Sequence, residues 1–354
     1  MARLRASRCL VFLFDHERLI GFNFLTKQAF CCTPPILGLL QKLGDWTEKP
    51  NASAFLPGRS PDGAAKLIED LIDLSAVIEE GTATARREQQ FKCSWEWGLG
   101  TSLLHFSLQD AGSYMPLEEA ERWRKERAVH DPSPPLYRHH GRAADTIKLE
   151  RSSDPLLALF AKRRTNRTPL PHAIPLPALA GCLEAGLAIT GFVDTETGRL
   201  PLSMTPSGGA RNPFEAYVYA RNVEGLDCGF YHYSAAEHSL LPLTCQDRPS
   251  PSYLLGDQDW AEAMPCIIFL VAHFERTMWK YRDDNGYRVV LIEAGHIGQN
   301  IMVTATAKNI TACPTALFRH GEIHGCLGIK NVTQSVLYAL TLSYPDKASK
   351  DCIS

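Results

Sequence analysis

Four polar side chains, Glu293, His296, Asn300 and Thr304, recur at spacings of three and four within residues 288–309, a stretch otherwise rich in Val, Leu, Ile, Met and Ala. At 3.6 residues per turn this spacing puts all four on one stripe of a helix. A helix that is apolar almost all round is expected to be buried. A buried polar group without a partner costs about 1–3 kcal/mol. Something polar must therefore face the stripe: either a satisfied network at a subunit interface, or a polar cofactor or substrate. Gly295 and Gly298 would let another backbone come close.

Three further clusters carry chemistry. Arg163-Arg164-Thr165-Asn166-Arg167 offers guanidinium, hydroxyl and guanidinium at alternate positions. That set suits a phosphate, and it equally suits a basic surface patch. Pro206-Ser207-Gly208-Gly209-Ala210-Arg211 has two glycines that would admit a flat ligand against the backbone, or make an ordinary turn. Trp279-Lys280-Tyr281-Arg282 sets a Lys and a Tyr side by side in an aromatic setting, where tuned pKa values would make them an acid/base pair. His320, His324 and Cys326 have the types of metal ligands but no fourth partner, so no metal is assigned. No phosphate loop of the Walker type is present, Gly98-Leu-Gly100 lacks the third glycine of a dinucleotide fingerprint, and no Gly-x-Ser-x-Gly elbow occurs.

These residues must be positioned by surrounding elements. Residues 155–162 read as a short helix capped by Ser153 or Asp154 with proline in its first turn. Residues 176–186 read as another. Residues 215–221 and 230–233 read as a hairpin, and 266–273, a continuous apolar run of strand length, as a buried central strand. Residues 335–344 read as a final strand. The sum is an α+β domain with a mixed central sheet flanked by helices. Upstream, residues 8–24 suit two short strands around a turn at 15–18. Helices follow over 36–43 and 64–74. Residues 1–90 thus form a small winged-helix-like module, for peptide binding or another interaction. Residues 91–150 connect the two, with a charged helix over 114–131 whose charges suit a solvated face, and a linker from Asp131-Pro-Ser-Pro-Pro135 through His139-His140-Gly141.

The clusters, in this order and spacing, resemble the SagB/ThcOx-type dehydrogenases of the nitroreductase superfamily, the FMN-dependent azoline oxidase branch. The resemblance lies in RRTNR (163–167), PSGGARNPFEAYVYARNVEGLDCGFYHY (206–233), WKYRDDNGYRVVLIEAGHIGQN (279–300) and ITACPTALF (310–318), with WEWGLGTSLLHFSLQD (95–110) upstream. It covers about residues 90–345. It implies a nitroreductase-like FMN-binding domain over 151–354 and a homodimer with FMN at the subunit interface. By the same resemblance Arg163, Thr165 and Arg167 would meet the phosphate and ribityl chain, and Pro206, Ser207 and Gly208 the isoalloxazine ring. Asn300 would make a polar contact to the flavin, and the backbone at Ala316 and Leu317 would run beside its N5. Lys280 and Tyr281 would be the pair that removes the substrate proton. The family commonly places a further basic phosphate contact after its last strand, where this chain has only Lys347 and Lys350.

The function so implied is oxidation of a thiazoline or oxazoline in a ribosomally made peptide to the azole, with oxygen reoxidising the flavin. A cyclodehydratase complex would be the partner. Two alternatives stand beside it: an NAD(P)H-driven reductase of quinones or nitro compounds, and a non-catalytic peptide-binding partner of a biosynthetic complex. Bulk properties agree with a soluble cytoplasmic protein. The 354 residues are 45% hydrophobic and 21% charged, with net charge −2, so no basic field for nucleic acid is expected. The apolar runs are too short for a signal peptide or a membrane span. Eleven scattered cysteines, an odd number without a Cys-x-x-Cys pair, suggest reduced thiols.

Overall fold

The computed structural model describes residues 2–112, 114–137, 147–196, 198–245 and 247–345. The expected linker residues 139–141, and Lys347 and Lys350, lie outside them. The chain divides into two compact units. Among the described residues no helix is long and apolar enough to cross a membrane.

The first unit comprises Met1–Ala111, His273–Val290 and Lys330–Ser335. Leu10–Asp15 and Arg18–Asn23 pair antiparallel with Asp15 opposite Arg18, and Gln28–Cys31 adds a third strand to this ribbon. His16 makes the turn with φ 52°, in the left-handed region. Arg3–Ala6 lies between Thr47–Glu48 and Val77–Glu79 in a second small sheet. The helix Pro61–Asp73 follows its local chemistry: the Ser60 side chain accepts from the Gly63 amide at 3.2 Å, and proline occupies the first turn. Its buried face, Ala64, Ile68 and Leu71, packs with Leu4, Leu39 and Leu43. The expected ribbon and helices are there; the winged-helix likeness is an expectation from the sequence alone.

This compact unit does not stop at residue 90. Residues 91–111 belong to it because their aromatic side chains are its second core. Trp95 lies 5.2 Å from Phe106 and 5.5 Å from Phe274, ring centre to ring centre. His105 is buried among them, with Nδ1 3.1 Å from the Tyr287 hydroxyl and Nε2 3.0 Å from Gln109. Phe274 and Tyr287 return from far along the chain, so no sequence boundary drawn at one point can separate this unit. A buried ion pair closes its other side. Glu88 takes Arg5 Nη1 at 2.6 Å and the Ser7 hydroxyl at 2.5 Å, and Arg5 and Glu88 are 4% and 1% exposed.

The second unit comprises Gly112–Ala272, Leu291–Ile329 and Val336–Ser354. Its sheet runs in the order Ser239–Pro242, Gly229–Ser234, Phe214–Ala220, Cys266–His273, Gln334–Pro345, Thr311–Thr315, with Pro169–Leu170 also paired to Gln334–Pro345. The expected hairpin is present, with Ala216 opposite Tyr233. Every residue of the central strand Cys266–His273 is buried, as its unbroken apolar run predicts. A second hairpin, Ile189–Thr195 with Gly198–Ser203, has no clear apolar alternation and cannot be read from the sequence. The charged helix over 114–131 spans Leu117–His130.

The long helix spans Asn285–Ala307 and corrects one expectation. It is not buried all round. Val290, Ala294, Ile297, Ile301 and Ala305 face the interior, whereas Leu291 is 43% and Ile292 52% exposed, and Gly295 and His296 are exposed with them. Apolar composition does not say which side packs; the inward residues are those at one helical spacing. A Cβ on Gly298 would stand 2.5 Å from the Tyr338 ring, so close approach fixes glycine there, while Gly295 meets nothing.

Candidate functional site

The glycine-bearing segment 206–211 is tightly held within the second unit. It follows the strand Gly198–Ser203 and turns through left-handed backbone at Gly209 (φ 62°), Ala210 (φ 54°) and, just beyond the segment, Asn212 (φ 43°). Ala210 and Asn212 are strained there, at a cost of about 1 kcal/mol each. The fold holds them with a dense set of bonds. The Asn212 amide donates to the Ser207 hydroxyl at 2.8 Å, and Asn212 Nδ2 donates to the Pro201 and Ala210 carbonyls. Ser203 Oγ donates to the Thr205 carbonyl and to Asn212 Oδ1.

The polar stripe of the long helix meets this segment. Glu293, 4% exposed, accepts from the Gly208 amide at 3.2 Å and from the Ser207 hydroxyl. Burial pushes its carboxyl up to about 7, against the pull of those two bonds. Asn300 Nδ2 donates to Thr205 Oγ1 at 2.9 Å and to the Ala185 carbonyl at 3.2 Å, and Thr205 Oγ1 donates to the Gly186 carbonyl at 2.7 Å. Part of the requirement for a polar partner is thus met inside the chain, by the 205–208 backbone and side chains. His296 is exposed instead. Pro206, Ser207, Gly208 and Asn300 come together through Thr205 and Glu293.

The candidate phosphate segment follows the helix Pro155–Lys162, capped by Asp154, whose carboxylate accepts from the Leu156 amide at 2.7 Å. Asn166 is buried and folds the segment on itself: its Oδ1 accepts from the Thr168 amide and hydroxyl. Arg163, Thr165 and Arg167 are then left half-buried or exposed. Among the described residues their side chains make no hydrogen bond or ion pair to another protein group. Arg167 lies with its guanidinium 5.6 Å from the Trp260 ring centre. Burial pushes the Cys313 thiol up to about 11, and the Arg167 charge pulls the other way, which puts Arg167 in electrostatic reach of the strand Thr311–Thr315. Two guanidinium groups and a hydroxyl without a hydrogen-bond partner among the described residues are a donor set that fits a phosphate ester.

That strand leads directly to Ala316 and Leu317. Gln258 fixes them: its Nε2 donates to Thr315 Oγ1 at 3.0 Å and to the Leu317 carbonyl at 3.1 Å, and the Leu317 amide donates to Thr315 Oγ1 at 3.2 Å. Gly256, at φ 66°, would meet Leu317 at 2.9 Å if it carried a Cβ. Gln258 lies in none of the motif blocks; Glu293 lies inside the 279–300 block and is singled out there as a member of the stripe. The donors at 163–167 suit the phosphate of an FMN, and the segments 206–208 and 316–317 are each braced within the unit. Past Leu317, His324 Nε2 accepts from the Val336 amide, and His320 packs its ring on Phe318 at 4.7 Å. Among the described residues no group of three His, Cys, Asp or Glu could hold a metal.

Lys280 and Tyr281 lie in the first unit. Lys280 is exposed, with Nζ 5.6 Å from the centre of the Tyr281 ring. The WEWG segment locks their loop. Trp97 Nε1 donates to the Tyr281 carbonyl at 2.8 Å, and the Gly98 amide donates to Asp284 Oδ1 at 2.7 Å. A Cβ on Gly286 would stand 2.8 Å from Trp97 Nε1 and 2.9 Å from the Tyr281 carbonyl. The upstream block of the sequence resemblance therefore has a physical task, which spacing alone could not assign.

Comparison with known proteins covers the same region. The model of the Nitroreductase family matches residues 160–344. Protein MJ1384 of Methanocaldococcus jannaschii, named as a nitroreductase, is 31% identical over 173 residues, 49% of this chain and 83% of that one. The trifolitoxin-processing protein TfxB of Rhizobium leguminosarum bv. trifolii is 30% identical over 186 residues, 50% of this chain and 49% of TfxB. The microcin B17-processing protein McbC of Escherichia coli is 33% identical over 111 residues, 28% of this chain and 39% of McbC. The match spans about half or less of the two peptide-processing relatives.

Proposed function

The chain belongs to the nitroreductase family, whose members use FMN, and from that premise we propose that it oxidises thiazoline or oxazoline rings of a ribosomally made peptide to azoles. Arg163, Thr165 and Arg167 hold the phosphate end of FMN. Pro206, Ser207 and Gly208, with the backbone at Ala316 and Leu317, border its ring, and Asn300 braces the ring segment through Thr205. Bound FMN supplies a two-electron acceptor that oxygen regenerates. Conversion of azoline to azole also releases a proton, and Lys280 or Tyr281 takes it.

The sequence resemblance, by which Lys280 and Tyr281 would be the pair that removes the substrate proton, supports this reading. A flavin reductase fed by NAD(P)H has no need of a base for a substrate C–H bond, yet here a Lys and a Tyr adjoin on a loop locked by Trp97 and Asp284. The names of TfxB and McbC, both peptide-processing proteins, support a peptide substrate and a biosynthetic complex. The exposed Leu291 and Ile292 are suited to the homodimer contact. The second reading, an NAD(P)H-dependent reductase, is favoured by the match across most of MJ1384. Anaerobic mixing separates the two. An azoline peptide should bleach the yellow flavin and yield the azole, detected as a loss of two hydrogens by mass spectrometry. Rapid bleaching by NAD(P)H with no response to the peptide would refute the azoline reading.

A further inference from the structure

The ring segment has a support that neither the sequence motifs nor the family match identifies. The Ser207 hydroxyl accepts from the Asn212 amide and donates to Glu293, and the Gly208 amide also donates to Glu293. The Ser207 hydroxyl and the Gly208 amide are therefore both turned toward the helix carboxylate. A ligand along 206–208 meets this segment as a shaped surface whose form depends on what holds it from behind. Glu293 is buried, and its bonds to Ser207 and Gly208 span the interval from the helix to the strained turn at Gly209, Ala210 and Asn212.

We propose that Glu293 is a positioning residue for the flavin ring: it clamps Ser207 and Gly208 from behind and so sets the backbone surface on which the ring lies. This rests on the FMN reading above. It also predicts that Ser207 acts through its place in the clamp, not as a direct donor to the flavin, because its hydroxyl is committed to Glu293.

The geometry allows a discriminating pair of variants. In Glu293→Gln the amide oxygen still accepts from Gly208 and the amide nitrogen can donate to the Ser207 oxygen, so the clamp survives without the carboxylate. In Glu293→Leu the side chain still fills the space, but both donors are stranded. Three quantities are measured on the full chain: FMN affinity by fluorescence quenching, the absorption spectrum of bound FMN, and hydrogen exchange at the Gly208 amide. Glu293→Gln should keep the wild-type spectrum and bind FMN within about 3-fold of wild type. Glu293→Leu should lose Gly208 protection, shift the flavin spectrum and weaken FMN by about 10- to 100-fold. Ser207→Ala, which removes only one arm of the clamp, should fall between them and guards against a misfolded Leu variant. Wild-type spectrum and affinity in both Glu293→Leu and Ser207→Ala would overturn the proposal while leaving the FMN reading intact. A wild-type chain that binds no FMN would overturn that reading, and this inference with it.

Discussion

Replacing Arg163 and Arg167 together by alanine tests the phosphate assignment with little risk of a trivial outcome. Each guanidinium is expected to make a charge-assisted bond to the phosphate, worth about 1.5–3 kcal/mol. The pair then contributes about 3–6 kcal/mol, so its removal should weaken FMN affinity by about 10²- to 10⁴-fold. The cost to folding should be small, because neither side chain has a protein hydrogen-bond partner among the described residues. Alanine at 167 does remove the packing of the guanidinium over the Trp260 ring, worth about 0.5–1 kcal/mol. Melting should move by no more than about 4 °C. The assay is fluorescence titration of the flavin-free protein, run in parallel with FMN and with riboflavin, which lacks the phosphate. FMN binding should fall and riboflavin binding should not. The double lysine variant keeps the charge without the planar fork, and should bind FMN with intermediate affinity. Full FMN occupancy in the alanine double variant, or an equal fall in riboflavin binding, would refute the assignment.

Two other outcomes are expected. Lys280→Ala and Tyr281→Phe should each keep bound FMN and lower azoline oxidation by about 10²- to 10⁴-fold, with turnover falling more than substrate binding; near wild-type turnover in both would mean that the pair only packs and is solvated. Glu88→Ala should destabilise the first unit by about 3–5 kcal/mol, because it leaves the buried Arg5 guanidinium without its counter-charge; unchanged urea unfolding would show that the Ala6 carbonyl and the Trp46 ring suffice for Arg5.

Much of the architecture could be read along the chain because it is set locally. The run Cys266–Ala272 is apolar without interruption, and at strand length such a run suits a strand covered on both faces. Asp154 marks a helix start because a side-chain oxygen beside a proline can satisfy the first free amides. The nitroreductase family was legible for a related reason: the blocks that carry the resemblance are runs of residues contiguous in sequence, and most of them fall within the matched residues 160–344.

What tertiary structure alone decided concerns partners distant in the chain. Spacing put Glu293 and Asn300 on one stripe. It could not say that a loop far upstream would satisfy them, nor that burial would push the Glu293 carboxyl up to about 7. Apolar composition could not show that Leu291 and Ile292 face outward while Ile297 and Ile301 face inward. Residue 90 does not bound the first unit because Trp95 and His105 pack on Phe274 and Tyr287. In each case the deciding effect is desolvation. Whether a side chain costs or contributes free energy depends on what covers it, and the chain brings that cover from far away.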